Sequence, residues 1–179
     1  MALVLAALSW PLEARAAAFM TREEALAQAF PGARIGRRSF ALGAAEAATV
    51  EKRARVKLPS RLVIAYFAWR GDSLTGTAFF DARVVRTMPA VLMVAIAPDT
   101  TVSRIDVLAF HEPPDYAPEP RWLSLFAHRR LDDRMWPGRA IPALSGATLT
   151  ARAIGESARL ALALYEIVAA PALARKAVR

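Results

Sequence analysis

The sequence predicts one α+β domain, in which an antiparallel sheet is flanked by helices. The main observation is a set of four short apolar runs that come in two pairs, each pair joined by turn residues, as in a hairpin. The runs are Arg61–Trp69 with Leu74–Phe80, and Ala90–Ala97 with Val102–Phe110. The second observation is a long helical pattern at Thr148–Ala169, which comes after all four runs.

Two helices are predicted before the first hairpin. Thr21 and Glu24 form a capping box, in which the Thr21 hydroxyl caps the helix and Glu24 reaches back to it. This helix runs to Phe30 and is stopped by Pro31. Ala44–Arg55 is rich in alanine and charged residues, and we expect it to be helical as well.

The second hairpin has a strand with alternating character. In Val102–Phe110, the apolar Ile105 and Val107 alternate with Arg104 and Asp106. Because successive side chains of a strand point to opposite faces, this pattern predicts one buried and one solvated face. The strand is therefore expected to be half-buried.

The chain between the second hairpin and the long helix is mostly irregular. His111–Pro120 contains four prolines and is expected to be a rigid loop. Arg121–Ala127 predicts a short helix, and Leu131–Arg139 is irregular. The long helix is expected to end before Pro171, and its apolar part is too short for a membrane span.

The first 18 residues have the pattern of an export signal. An apolar run, Ala2–Trp10, precedes small residues with the spacing that signal peptidase requires, so cleavage is expected near Ala16 or Ala18. The alternative is a buried N-terminal helix. We expect residues 19–179 to form the single mature domain, in a periplasmic or other extracytoplasmic location, with association to a membrane left open.

The composition excludes several kinds of redox site. The chain has no cysteine, so disulfides, cysteine-ligated iron–sulfur clusters and covalent c-type haem are excluded. With only two histidines, a histidine-rich metal site is also excluded, and we predict no metal. An organic cofactor is then the expected carrier if the protein handles electrons.

The chain is basic, with a net charge of +8. Residues 34–61 hold eight basic and two acidic residues, and we call this segment the basic patch. It is either a solvated face or a surface for an acidic partner, and binding to anionic lipid is a weaker third hypothesis. No nucleic-acid motif accompanies it, so no nucleic-acid partner is predicted.

Ser145-Gly146-Ala147-Thr148 is a small-residue turn that enters the long helix. Gly146 allows a close backbone approach, and the free N–H groups and dipole of a helix start favour phosphate. The alternative is that Thr148 is an ordinary N-cap. No base is visible near the Thr148 hydroxyl, so a separate transferase would have to attach a group there.

The order of hairpin, Glu-Pro loop, Trp-Phe helix, Ser-Gly-Ala-Thr turn and long helix resembles the FMN-binding domain family. In that family, flavin-carrying components of the sodium-pumping NADH:quinone reductase and of the Rnf complex hold FMN on the last threonine of this motif. The resemblance covers about Leu74 to Ala169. It implies FMN bound to Thr148 through a phosphoester, installed from FAD by a flavin transferase.

The resemblance also implies a set of cofactor-binding residues. Glu112 and Pro113 occupy the place of the family's Glu-Thr-Pro-Gly loop, and Tyr116 or Trp122 is expected to stack on the flavin ring or else to pack in the core. The predicted set is Ser145, Gly146, Ala147, Thr148, Leu149, Thr150, Glu112, Pro113, Tyr116 and Trp122.

The function implied is an exported flavoprotein that transfers electrons between redox proteins or within a membrane complex. No catalytic residue stands out, so we do not expect a stand-alone enzyme. The alternative is an exported module that binds flavin without a covalent bond, or no flavin, and docks through its basic surface. This alternative is motivated by Pro142, which stands where the family often has aspartate.

Overall fold

Six strands form one sheet in the computed structural model, which describes residues 17–18 and 20–177. Every neighbouring pair of strands is antiparallel, and the spatial order is β1-β6-β5-β4-β3-β2. The strands are β1 Ala17–Ala18, β2 Arg34–Ala41, β3 Leu62–Arg70, β4 Ser73–Val84, β5 Pro89–Ile96 and β6 Val102–Phe110. The helices are α1 Arg22–Ala29, α2 Ala44–Ala54, α3 Pro120–Leu123, α4 Thr148–Leu164 and α5 Ala170–Ala177.

The predicted α+β class and both predicted hairpins are confirmed. β3 pairs with β4, and β5 pairs with β6, close to the expected bounds except that β4 continues beyond Phe80 to Val84. The capping box is also present, since Glu24 N–H donates to the Thr21 hydroxyl and Thr21 N–H donates to the Glu24 carboxylate. The predicted export signal, residues 1–18, lies outside the described residues except for Ala17–Ala18.

Strand β2 was not predicted from the sequence. Its residues, RIGRRSFA, do not alternate between apolar and polar character, and most are exposed or only partly buried. β2 pairs with β3 along its whole length, from Arg34 opposite Trp69 to Ala41 opposite Leu62. The hydrogen bonds to the backbone of β3 therefore determine that these residues form an edge strand, since none of them is buried.

Both faces of the sheet carry a core, which corrects the expectation for β6. The larger core lies between the sheet and helices α2, α3 and α4, and a smaller core lies beneath α1. Leu108 is buried in the smaller core, and Asp106 is only 7% exposed. The prediction of a solvated face was wrong because α1 covers it, and Arg104 pairs with Asp106 at 2.6 Å.

Helix α4 is buried on almost every side. The charged Arg159 is 1% exposed, while the apolar Leu149 in the first turn is 47% exposed. The Arg159 guanidinium donates to the carbonyl oxygens of Ala54 and Asp132, and it lies 4.6 Å from the ring centroid of Trp136. The sequence pattern could not show that the end of α2 and the loop at 132 cover this face.

The expected end of the long helix before Pro171 is also wrong. A π-helical turn at Tyr165–Ala169 leads into α5, and the N–H of Ala170 bonds to the carbonyl of Tyr165. A proline lacks an N–H and its ring crowds the preceding turn, so we attribute the wide turn just before Pro171 to it. By length and composition, Thr148–Ala174 could cross a membrane, but 67% of its most apolar window is buried in the fold, as in a core helix.

We predict that Arg159→Met destabilises the protein, although methionine fills much of the same volume. The substitution leaves the carbonyl of Ala54 without its side-chain donor and leaves the carbonyl of Asp132 with the Met135 N–H as its donor, at a cost of about 2–4 kcal/mol in the free energy of unfolding. Urea unfolding measures this loss in the free energy of unfolding. The control is Arg152→Met on the same helix, where the side chain is 71% exposed and the expected loss is below about 1 kcal/mol. Equal losses in the two variants would contradict this account of Arg159.

Candidate cofactor site at the start of α4

The Ser145–Thr148 turn enters α4 without a side-chain cap. Ala147 is the N-cap residue, and Thr148 is the first helical residue. The alternative that Thr148 serves as an ordinary N-cap is therefore wrong. Its side chain is exposed and has no hydrogen-bond partner among the described residues. The first helical bond is donated by Ala151 to Ala147, so the N–H groups of residues 148–150 precede the ladder.

Gly146 is required by its backbone conformation. Its φ is +74°, a value that residues with a side chain rarely adopt. A Cβ built at this position would meet no atom within 4 Å. In this structure the glycine therefore allows the left-handed turn, after which the N–H of Ala147 bonds to the carbonyl of Leu144 at 3.0 Å.

Trp122 holds the segment that leads to the turn. Its indole N–H donates to the carbonyl of Pro142 at 2.9 Å, and its ring meets Phe126 edge-on at 5.3 Å. Only 8% of Trp122 is exposed, and Ile141 beside the turn is fully buried. Trp122 thus packs in the core and fixes Pro142; stacking of its ring on a flavin stays a prediction.

Thr150 connects α4 to the proline-rich loop. It is 2% exposed, and its hydroxyl donates to the carbonyl of Tyr116 at 2.8 Å. The Tyr116 ring is half-buried, and the guanidinium carbon of Arg86 lies 5.1 Å from its centroid. One hydrogen bond therefore ties the first turn of α4 to the loop that the family resemblance predicts to lie near the cofactor.

Glu112 secures the turn between β4 and β5. One carboxylate oxygen accepts the backbone N–H groups of Arg86, Thr87 and Met88 at 2.7–2.9 Å. Its side chain is buried at 7% exposure. The hydrogen bonds from Thr87 and Met88 are the largest causes that hold the pKa of Glu112 below its ordinary value. Glu112 thus fixes the β4–β5 turn beside the proline-rich loop.

The predicted site residues divide into exposed and buried groups at this end of the fold. The exposed residues are Ser145, Gly146, Thr148, Leu149 and Pro113. The buried residues are Ala147, Thr150, Glu112 and Trp122, and Tyr116 is intermediate. Arg86 and Met88 were not predicted, since nothing in the sequence pattern connects the β4–β5 turn to the Ser145–Thr148 motif. The connection is made only by the contacts of Glu112 and Tyr116 with this turn.

Two common kinds of site are not found here. No cluster of three metal-ligating side chains occurs among the described residues. A cavity of about 530 Å³ lies between β6 and α3, with Ile105, Pro118 and Leu123 in its walls. None of the predicted cofactor residues lines it. The start of α4 is therefore an open surface site.

We predict that Glu112→Gln loosens the β4–β5 turn in a pH-dependent way. The lowered pKa means that the carboxylate stabilises the fold above the unfolded-state pKa of about 4.3, and that this contribution is lost as the pH falls through the folded-state pKa. Amide exchange at residues 86–88 should be faster in the variant at pH 7, and the difference should vanish under acid conditions. Glu119→Gln, in the same loop but exposed, is the control; a similar effect there would contradict the assignment.

The comparisons with known proteins agree with this geometry. Residues 88–163 match the model of the FMN-binding domain, a span that is less than half of the chain. The matched segment contains the Glu112 loop, α3, the Ser145–Thr148 turn and nearly all of α4. No curated protein matches the chain. The antiparallel α+β fold is consistent with such a domain, and the match supports the FMN-binding domain family, with FMN as the ligand.

Proposed function

We propose that this protein is an electron-transfer flavoprotein that carries FMN on Thr148 through a phosphoester bond. The observation that carries the proposal is an exposed threonine at an uncapped helix start, inside the segment that matches the FMN-binding domain. When bound, FMN supplies one- and two-electron redox chemistry. The chain positions the cofactor and sets its surroundings.

The residues at the turn fit a phosphate group. The N–H groups of residues 148–150 and the helix dipole favour negative charge, and the first turn of α4 contains no acidic residue that would repel it. Thr150 adds rigidity through Tyr116 rather than a contact to the phosphate, because its hydroxyl already donates to that carbonyl. The phosphate would thus meet preorganised donors on a fixed helix.

Attachment requires a second protein. No described side chain accepts a hydrogen bond from the Thr148 hydroxyl, so the chain offers no general base to activate it. In the proposed step a flavin transferase deprotonates Thr148, whose oxygen bonds to the FMN phosphorus of FAD while the bond to AMP breaks. The exposed position of Thr148 leaves the hydroxyl open to this transferase.

We further propose that the protein acts after export, with redox proteins or a membrane electron-transfer complex as partners. The basic patch lies away from the cofactor. Its α2 end meets Arg159, which is about 16 Å along α4 from Thr148 at 1.5 Å per residue. Arg53 and Arg55 in the patch pair with Glu166 and Asp133. The patch therefore suits long-range attraction of an acidic partner rather than contact at the flavin.

A second candidate function keeps the fold but not the covalent bond. Pro142 stands where the family often has aspartate, and its carbonyl is held by Trp122. A transferase that requires the aspartate would not modify this chain. The protein would then bind FMN reversibly, or act as a flavin-free module that docks through the basic patch.

Thr148→Val separates the two candidates, because it removes the hydroxyl and keeps the shape of the side chain. After co-expression with a flavin transferase, we expect the native chain to give a fluorescent band on a denaturing gel and a matching mass increase. Both should be lost in Thr148→Val and kept in Thr49→Val, which removes an exposed hydroxyl on α2. Yellow colour that disappears on denaturation would instead favour reversible binding.

A further inference from the structure

Arg86 is held beside the start of α4 by contacts at both ends of the residue. Its backbone N–H donates to Glu112 at 2.9 Å, and its guanidinium lies over the ring of Tyr116 at 5.1 Å. The carbonyl of Tyr116 in turn accepts the Thr150 hydroxyl at 2.8 Å. The exposed Arg86 guanidinium is therefore linked to the first turn of α4 through two contacts, one with the Tyr116 ring and one between Tyr116 and Thr150.

Arg86 differs from Arg83 and Arg152 because its charge is not offset by an ion pair. Arg152 pairs with Glu156 at 2.9 Å, and Arg83 pairs with Asp81 at 2.7 Å and with Glu156 at 3.1 Å. Among the described residues, no carboxylate lies within ion-pair distance of Arg86. Glu112 attracts it from further away, but the bonding oxygen of Glu112 is occupied by three backbone N–H groups.

Exposed apolar side chains on the segments linked to Arg86 also suit a planar ring. Leu149 and Met88 are two of the most exposed large apolar side chains described, at 47% and 40%, and each belongs to a segment tied to the Tyr116 loop. A ring carried at Thr148 could cover such side chains while its polar edge meets a guanidinium. Arg is well suited to this, since its planar group both stacks and donates several hydrogen bonds.

We propose that Arg86 contacts the flavin carried at Thr148 and favours its reduced form. This inference rests on the proposed function. Reduction adds negative charge to the ring, and a nearby positive charge stabilises the reduced form more than the oxidised form. Arg86 is thus a positioning and tuning residue, and Tyr116 with Glu112 sets where its charge lies.

The test is a dye-mediated redox titration of the FMN-loaded protein. In Arg86→Gln, the ratio of reduced to oxidised flavin at a fixed potential should fall about tenfold, the change expected for loss of one charge close to the ring at a partly solvated site. Arg86→Lys keeps the charge and should recover most of the native ratio. Arg121→Gln removes an exposed arginine on α3 that has no contact with Tyr116 among the described residues, and it should leave the ratio nearly unchanged.

Three outcomes would overturn the inference. They are an unchanged ratio in Arg86→Gln, an equal fall in Arg121→Gln, and an equal fall in Arg86→Lys. Urea unfolding of each variant checks that folding is intact, and Arg86→Gln should pass because its backbone N–H to Glu112 remains. A native chain that carries no flavin by mass and shows no flavin colour would instead overturn the proposed function itself.

Discussion

The burial of α4 is the constraint on which the rest of the structure depends. The helix lies between the sheet and α2, and it is covered on nearly all sides, so its axial position cannot shift without opening the larger core. Arg159 also holds α4 in place, because its guanidinium donates hydrogen bonds to the carbonyls of Ala54 at the end of α2 and of Asp132. A fixed α4 fixes the position of Thr148 at its start.

The loops around that start take their positions from a few hydrogen bonds to backbone groups. Trp122 holds the Pro142 carbonyl, Thr150 holds the Tyr116 carbonyl, and Glu112 holds three amides of the β4–β5 turn. All three side chains are buried, so each bond is partly shielded from water and costly to break. These buried groups support the surface, while Thr148 and Leu149 remain exposed. A cofactor attached there would rest on a rigid platform.

The distribution of charge differs between the two ends of α4. Near Thr148, Arg152 pairs with Glu156, and the exposed surface includes the apolar Leu149. The basic patch lies around β2 and the end of α2, toward the other end of α4. An electron-transfer protein built in this way would attract a partner at one end and exchange electrons at the other.

The sequence by itself determined the antiparallel α+β class, both hairpins, the capping box at Thr21 and the beginning of the long helix at Thr148. These follow from local apolar patterns and turn residues, which need no distant partner. Tertiary structure decided the rest: β2 exists because β3 pairs with it, Arg159 is buried because α2 covers it, and the helix passes Pro171 through a π turn. The place of Arg86 beside Tyr116 was likewise decided by contacts between distant parts of the chain, because no local pattern records which loops meet in space.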